Sequence, residues 1–429
     1  MKTKTKKCWR KSEKQYLHLL DSFVFTVCAA TIFTFCICSW LLDINYKYTI
    51  DMTGPVVDVN HIFYIAALAS AYYLIRKRQI QFDFSLVLLC TVMVFVAIID
   101  YHTEDYVPVS YAWILPMAYI LGKLIVGTDR ETINEKIVIL YFSMAIPMYI
   151  QSVLDIGSNW KTGWALGTER WPEFWTGEIE PRTTYELGFV LTTSAFAFAL
   201  YVFKKHTIAS IIIIAANVLL QYMVMHVQGR QNPVLLILTI LIVGCLVVYD
   251  RWHGDNKRLK KIFLTATTVG ILIVVIIAVL FTTNTFGLMD KYKASYWADG
   301  GLLKNERIDI NLTAFRSMLK WPNDNYTERA GLDRAHSMVL EYGRVYDMTV
   351  YLGLTLIRLL FIFQAIRLTL VKNSNSWIKY LIVPAFVSLN LYYTMEPNAY
   401  AHRYFWMPGL FFSGMIAGWL ELEGRKIEK

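Results

Sequence analysis

Between Ile208 and Val227 the chain reads IASIIIIAANVLLQYMVMHV, with no Asp, Glu, Lys or Arg. At about 1.5 Å per helical residue such a run spans roughly 30 Å, the thickness of a bilayer's hydrocarbon layer. It is followed by Gly229-Arg230-Gln231-Asn232-Pro233 and then by a second apolar run, Pro233 to Tyr249. Two membrane-length runs joined by so short a turn predict an antiparallel helix pair, with Pro233 suited to the first turn of its helix. Working outward, similar runs occupy Phe23 to Leu42, His61 to Ile75, Phe84 to Ile99, Val107 to Val126, Ile137 to Leu154 and Leu187 to Phe203 on the amino-terminal side. Ile262 to Phe281, Met348 to Ile366, Trp377 to Tyr393 and Arg403 to Leu420 follow on the carboxy-terminal side. The expectation is an all-α polytopic membrane protein of about 12 transmembrane helices, forming a single domain over residues 1–429.

Composition agrees. The 429 residues are 56% hydrophobic and only 17% charged, which no water-facing surface can accommodate. Disorder and a collagen repeat are excluded by the same figures, and six cysteines are too few for a disulfide scaffold. None of the cysteines falls in a segment expected outside, so no structural disulfide is expected. The basic start resembles a signal peptide, but Phe23 to Leu42 is too long for its apolar region and lacks a small-x-small cleavage site, so it reads as a retained span.

Orientation follows from lysine and arginine bias. Most of the 42 basic residues lie in the tails and alternate short loops, among them Lys2 to Lys14, Arg76 to Arg78, Lys204-Lys205 and Arg251 to Lys261. Basic segments stay on the cytoplasmic side, so the tails (1–22 and 421–429) are expected inside. The net charge of +9 is then a topology signal and no evidence for nucleic-acid binding. Two long outer segments remain, 155–186 and 282–347. The first is rich in tryptophan and carboxylate (Trp160, Trp164, Trp171, Trp175, Glu169, Glu173, Glu178, Glu180, Glu186) and fits either an aromatic belt anchor or a sugar-stacking surface. The second, between spans nine and ten, is expected to contain short helices. In one of them Ile308, Leu312, Phe315 and Leu319 recur at helical spacing, as in a helix lying along a membrane.

Five polar residues fall at outer membrane depth: Arg182, Arg230, Arg307, His336 and Arg403. Intramembrane-edge arginines are candidates for anion binding, although a snorkelling arginine that touches headgroups looks the same in sequence. His336 sits in Arg334-Ala335-His336-Ser337-Met338-Val339-Leu340-Glu341-Tyr342-Gly343, just before span ten. Basic surroundings disfavour imidazolium and suit a proton acceptor near neutral pH. No His-x-x-x-His or outer cysteine pair suggests a metal, and the Glu104-Asp105 doublet reads as a solvated loop. Asn311-Leu312-Thr313 and Asn325-Tyr326-Thr327 match glycosylation sequons.

Gly229-Arg230-Gln231, Glu306-Arg307-Ile308 followed by Phe315 to Pro322, and His336 to Gly343 occur in the order and on the side that resemble the O-antigen ligase and polymerase superfamily. The resemblance covers Arg182 to Arg403, while the first half matches in span count alone. It departs at Asn232-Pro233 and at Asn323-Asp324-Asn325, where that family has smaller residues. The resemblance implies transfer of glycan from undecaprenyl diphosphate at the periplasmic face of a bacterial inner membrane, with no metal or other cofactor. His336 would be the catalytic base and Arg230 and Arg307 would bind the diphosphate, with Arg182, Arg403 and Glu341 in support. The acceptor would be lipid A-core for a ligase or a second lipid-linked glycan for a polymerase. A transporter of a lipid-linked or anionic solute is the reading from another class, though transporters commonly show paired interrupted helices in both halves.

Overall fold

The structure is a computed structural model that describes residues 20–34, 68, 71–72, 83–103, 110–126, 133–162, 170–172, 174, 179–226, 231–251, 279, 282–287, 290, 306–319, 335–370, 378–395 and 406–424. Its helices are α1 (Leu20–Thr34), α2 (Phe84–Thr103), α3 (Ser110–Val126), α4 (Ile133–Ser158), α5 (Arg182–Leu187), α6 (Val190–Val202) and α7 (Thr207–His226). They continue with α8 (Gln231–Arg251), α9 (Glu306–Met318), α10 (Met338–Tyr346), α11 (Met348–Leu370), α12 (Lys379–Met395) and α13 (Met407–Gly424). The fold is helical, and among the described residues five stretches are long and apolar enough to cross a membrane: Asn134–Ser158, Tyr185–Val202, Thr207–Met225, Gln231–Asp250 and Met348–Leu370. Every expected span has a helix at its place except those over His61 to Ile75 and Ile262 to Phe281, which lie mostly outside the described residues.

Lateral packing rests on small residues, as expected where lipid tails compete with side chains for helix surfaces. A Cβ added at Gly414 would lie 2.0 Å from the Tyr119 carbonyl oxygen, and one at Gly418 would lie 2.3 Å from that of Lys123. Gly414 and Gly418, four apart on α13, therefore let its backbone touch that of α3. The partner numbers rise together, so the two helices run parallel, the direction expected of spans four and twelve. Replacing Gly414 by valine is expected to force the helices apart and cost about 1–3 kcal/mol or more, read as a lower unfolding temperature in detergent. Gly244→Ala is the control, since nothing lies within 4 Å of a Cβ there.

Charged residues at the helix ends pair within the bundle. Lys123 lies 2.8 Å from Asp83 and also contacts Glu421, while the Tyr119 hydroxyl donates to Asp83 at 2.8 Å. Lys379 donates to Asp250 at 2.6 Å, and the Tyr380 hydroxyl donates to the same carboxylate. Each cluster joins residues that the charge bias assigns to one side. Arg358, inside span ten, donates to the Asn390 carbonyl at 2.8 Å and to the Thr394 hydroxyl at 2.5 Å, so α12 solvates a charge that lipid would not.

The first long connection departs from expectation. Helix α4 runs to Ser158, past the expected end at Leu154, because Asp155 has work there. Its carboxylate accepts from the Gln151 amide and from the Phe174 N–H, both at 2.9 Å. The connection also contains a hairpin, β1 (Arg170–Pro172) against β2 (Ile179–Pro181), with Trp171 opposite Glu180. Trp171 is only 2% exposed, packed with Ile156, Tyr185, Phe189 and Leu220. Both readings of this residue are thereby corrected: its indole faces neither lipid nor sugar but holds the hairpin on α4 and α7. Trp164 and Trp175 lie outside the described residues.

Candidate functional site

Two polar clusters stand at the end of the bundle that the charge bias assigns to the exterior. The first is built on α9 and α10. Glu341, on the first turn of α10, is fully buried, and Arg344 grips it with two parallel bonds, Nε to Oε2 at 2.8 Å and Nη2 to Oε1 at 2.7 Å. The spacing of three places both on one helix face, and a planar guanidinium matches a carboxylate bidentately. Glu341 Oε2 also accepts from the Ala335 N–H at 2.8 Å. A carboxylate on the helix thus holds the residue just before His336.

His336 is half-buried, with Nδ1 inside the protein. Its backbone N–H donates to Asn311 Oδ1 of α9 at 2.7 Å. The glycine of the Glu-x-Gly motif has a physical reason as well. A Cβ on Gly343 would come within 2.3 Å of Met318 Sδ on α9 and 2.7 Å of the Tyr351 Cβ on α11, so a side chain there would press on both neighbouring helices. The protein-facing side of α9 is Asn311, Ala314 and Met318, whereas Ile308, Leu312 and Leu319 of the expected apolar stripe are exposed and Phe315 packs on Tyr351. The His336 segment is closed on the other side by Asp347, whose positive φ of 144° a non-glycine residue rarely adopts, and which separates α10 from α11.

The second cluster surrounds a helix break. Glu186, 3% exposed, lies in the last turn of the short helix α5, and the chain turns at Gly188 and Phe189 before α6. A Cβ on Gly188 would meet Ser152 Oγ at 2.1 Å, so the turn sits directly on α4. Asn232, in the first turn of α8 and fully buried, donates to the Glu186 carbonyl at 2.9 Å and accepts from the Thr193 hydroxyl at 2.9 Å. The departure noted at Asn232 is therefore structural: its amide bolts the start of α8 to the break between α5 and α6.

The candidate residues distribute over these clusters. His336 and Glu341 share the first. Arg307 is the second residue of α9, one turn before Asn311 and hence about 6 Å from it along the axis; its side chain lies outside the description. Arg182 is the first residue of α5, one turn before Glu186, with its side chain likewise undescribed. Arg230 and Arg403 lie outside the described residues, as do Glu104-Asp105 and Asn325. Arg230 precedes Asn232 by two positions, and Arg403 precedes by three Trp406, whose ring lies 5.8 Å from that of Tyr342 on α10. Helix α12 joins the clusters, since both α6 and α10 pack against it.

Three side chains escaped the sequence reading. Arg344 carried a legible signal, its spacing from Glu341, and it engages both oxygens of that carboxylate. Asn311 read as part of a sequon, yet its amide oxygen is bound to His336. Asn232 stood out only as an oddity.

Five of the described helices have the length and apolar composition of membrane spans, as an all-α membrane protein requires. Compared with known protein families, curated proteins and solved structures, it matches none.

Proposed function

We propose that the protein is a glycosyltransferase of the O-antigen ligase type, acting at the periplasmic face of a bacterial inner membrane with both termini cytoplasmic. The observation that carries this reading is the double fastening of the His336 segment, by Asn311 from the helix that bears Arg307 and by Glu341 from the helix that follows. A general base must be held in place to act, and this one is tied to the helix whose second residue is Arg307.

In the proposed reaction the acceptor hydroxyl oxygen attacks the anomeric carbon of the lipid-linked glycan. The bond from that carbon to the diphosphate oxygen breaks, and undecaprenyl diphosphate leaves with the electron pair. The acceptor proton passes to His336; with Nδ1 buried, Nε2 is the nitrogen that takes it. Attack from the face opposite the leaving group inverts the anomeric centre. Arg230 and Arg307 stabilise the charge that gathers on the diphosphate, each contact being about 4 kcal/mol at 4 Å and an effective dielectric near 20, before desolvation. Arg182, one turn from Glu186, and Arg403 complete the basic rim.

Purified full-length protein, given undecaprenyl diphosphate glycan and lipid A-core in detergent, is expected to form the joined product without an ion gradient. Product that appears only with a second lipid-linked glycan as acceptor assigns a polymerase instead. No product with either acceptor, together with gradient-dependent uptake in vesicles, assigns a transporter.

A further inference from the structure

The Asn311 side chain reaches out of α9 to accept the backbone N–H of His336 at 2.7 Å. It is the described hydrogen bond that joins α9 directly to the His336 segment. The other fastening of that segment, Glu341 to the Ala335 N–H, comes from α10 and is fixed by Arg344. The two anchors differ in kind. Glu341 is locked inside its own helix by a buried ion pair, whereas Asn311 rides on a helix that touches the bundle through Ala314, Met318 and Phe315 and exposes Ile308, Leu312 and Leu319. Asn311 thus links the backbone of His336 to α9, and Glu341 links the residue before it to α10.

We propose that Asn311 is a positioning residue that couples α9 to the base, so that diphosphate held at Arg307, one turn away, also sets His336 for proton transfer. This rests on the glycosyltransferase reading above and adds a means by which donor occupancy regulates the site. The hydrogen bond accepts from a backbone N–H, so the acceptor oxygen is what matters. Asn311→Asp keeps that oxygen at the same reach, and Asn311→Leu keeps the volume without it. A misplaced base lowers turnover, while Arg307 remains on α9 to bind donor.

The experiment uses full-length protein in detergent. Residue-level hydrogen exchange first reads the His336 amide, whose rate is expected to rise about tenfold or more in Asn311→Leu and to stay near that of the unsubstituted protein in Asn311→Asp. Transfer assays with undecaprenyl diphosphate glycan as donor then read kcat, expected to fall about tenfold to a hundredfold in Asn311→Leu with donor KM within about twofold, and to recover in Asn311→Asp. Unchanged exchange at His336 in Asn311→Leu overturns the proposal. So does an Asn311→Asp protein as slow as Asn311→Leu, or a loss confined to KM. His336→Ala separates the two levels: if it transfers glycan normally, the catalytic reading fails, and the exchange result still decides whether Asn311 holds the segment.

Discussion

Alanine in place of Glu341 is expected to lower stability by about 3–5 kcal/mol, because it strands the Arg344 guanidinium in the interior. Glu341 is fully buried and Arg344 only 4% exposed, so water cannot replace the lost partner without opening α10. The Ala335 N–H loses its acceptor in the same step, a further cost of about 1–3 kcal/mol for a buried donor left unpaired. Thermal unfolding in detergent measures the sum. Glu341→Met combined with Arg344→Leu removes both charges at similar volume and is expected to recover a large part of the loss. A double variant no more stable than Glu341→Ala would show that the pair is not what holds this end of the helix.

The second large effect is chemical. Removing the imidazole with His336→Ala is expected to reduce glycan transfer by about 10²- to 10⁴-fold, while the hydrogen bonds to the Ala335 and His336 backbone N–H groups are retained. In cells the ligase assignment predicts full-length polymer left on undecaprenyl diphosphate and bare lipid A-core. A polymerase would instead leave core capped with a single repeat. Surface polysaccharide unchanged in both length and attachment would remove His336 from the mechanism.

Much of the helical framework could be read directly. Ile208 to Val227 has to be a helix because an apolar backbone in lipid must satisfy its own hydrogen bonds; the structure has α7 there, and it has α8 after the short turn. Harder to read were places where the apolar run does not end the helix. Asp155 looks like the start of a loop, yet α4 continues through it because the carboxylate finds Phe174, nineteen residues on, which no local pattern announces. The tryptophans of the same segment have the composition of an interface, but Trp171 is enclosed by residues from three separate stretches of chain.

Residue types and order were legible in the candidate site: a histidine, a glutamate and a glycine at the start of span ten, and arginines assigned to the same side. The partner of each was not, apart from the spacing of Glu341 and Arg344. Nothing in Asn311-Leu312-Thr313 distinguishes an amide open to glycosylation from one bound to a backbone N–H 25 residues away.

By itself the amino-acid order determined the helical class and the places of most helices, because each follows from how a short segment partitions between water and hydrocarbon. Only the tertiary structure decided that Glu341 is neutralised by Arg344, that His336 hangs from α9 and that Asn232 clamps the break between α5 and α6. Those are agreements between segments far apart in the chain, and a hydrogen bond specifies its partner by position in space, whatever the distance in sequence.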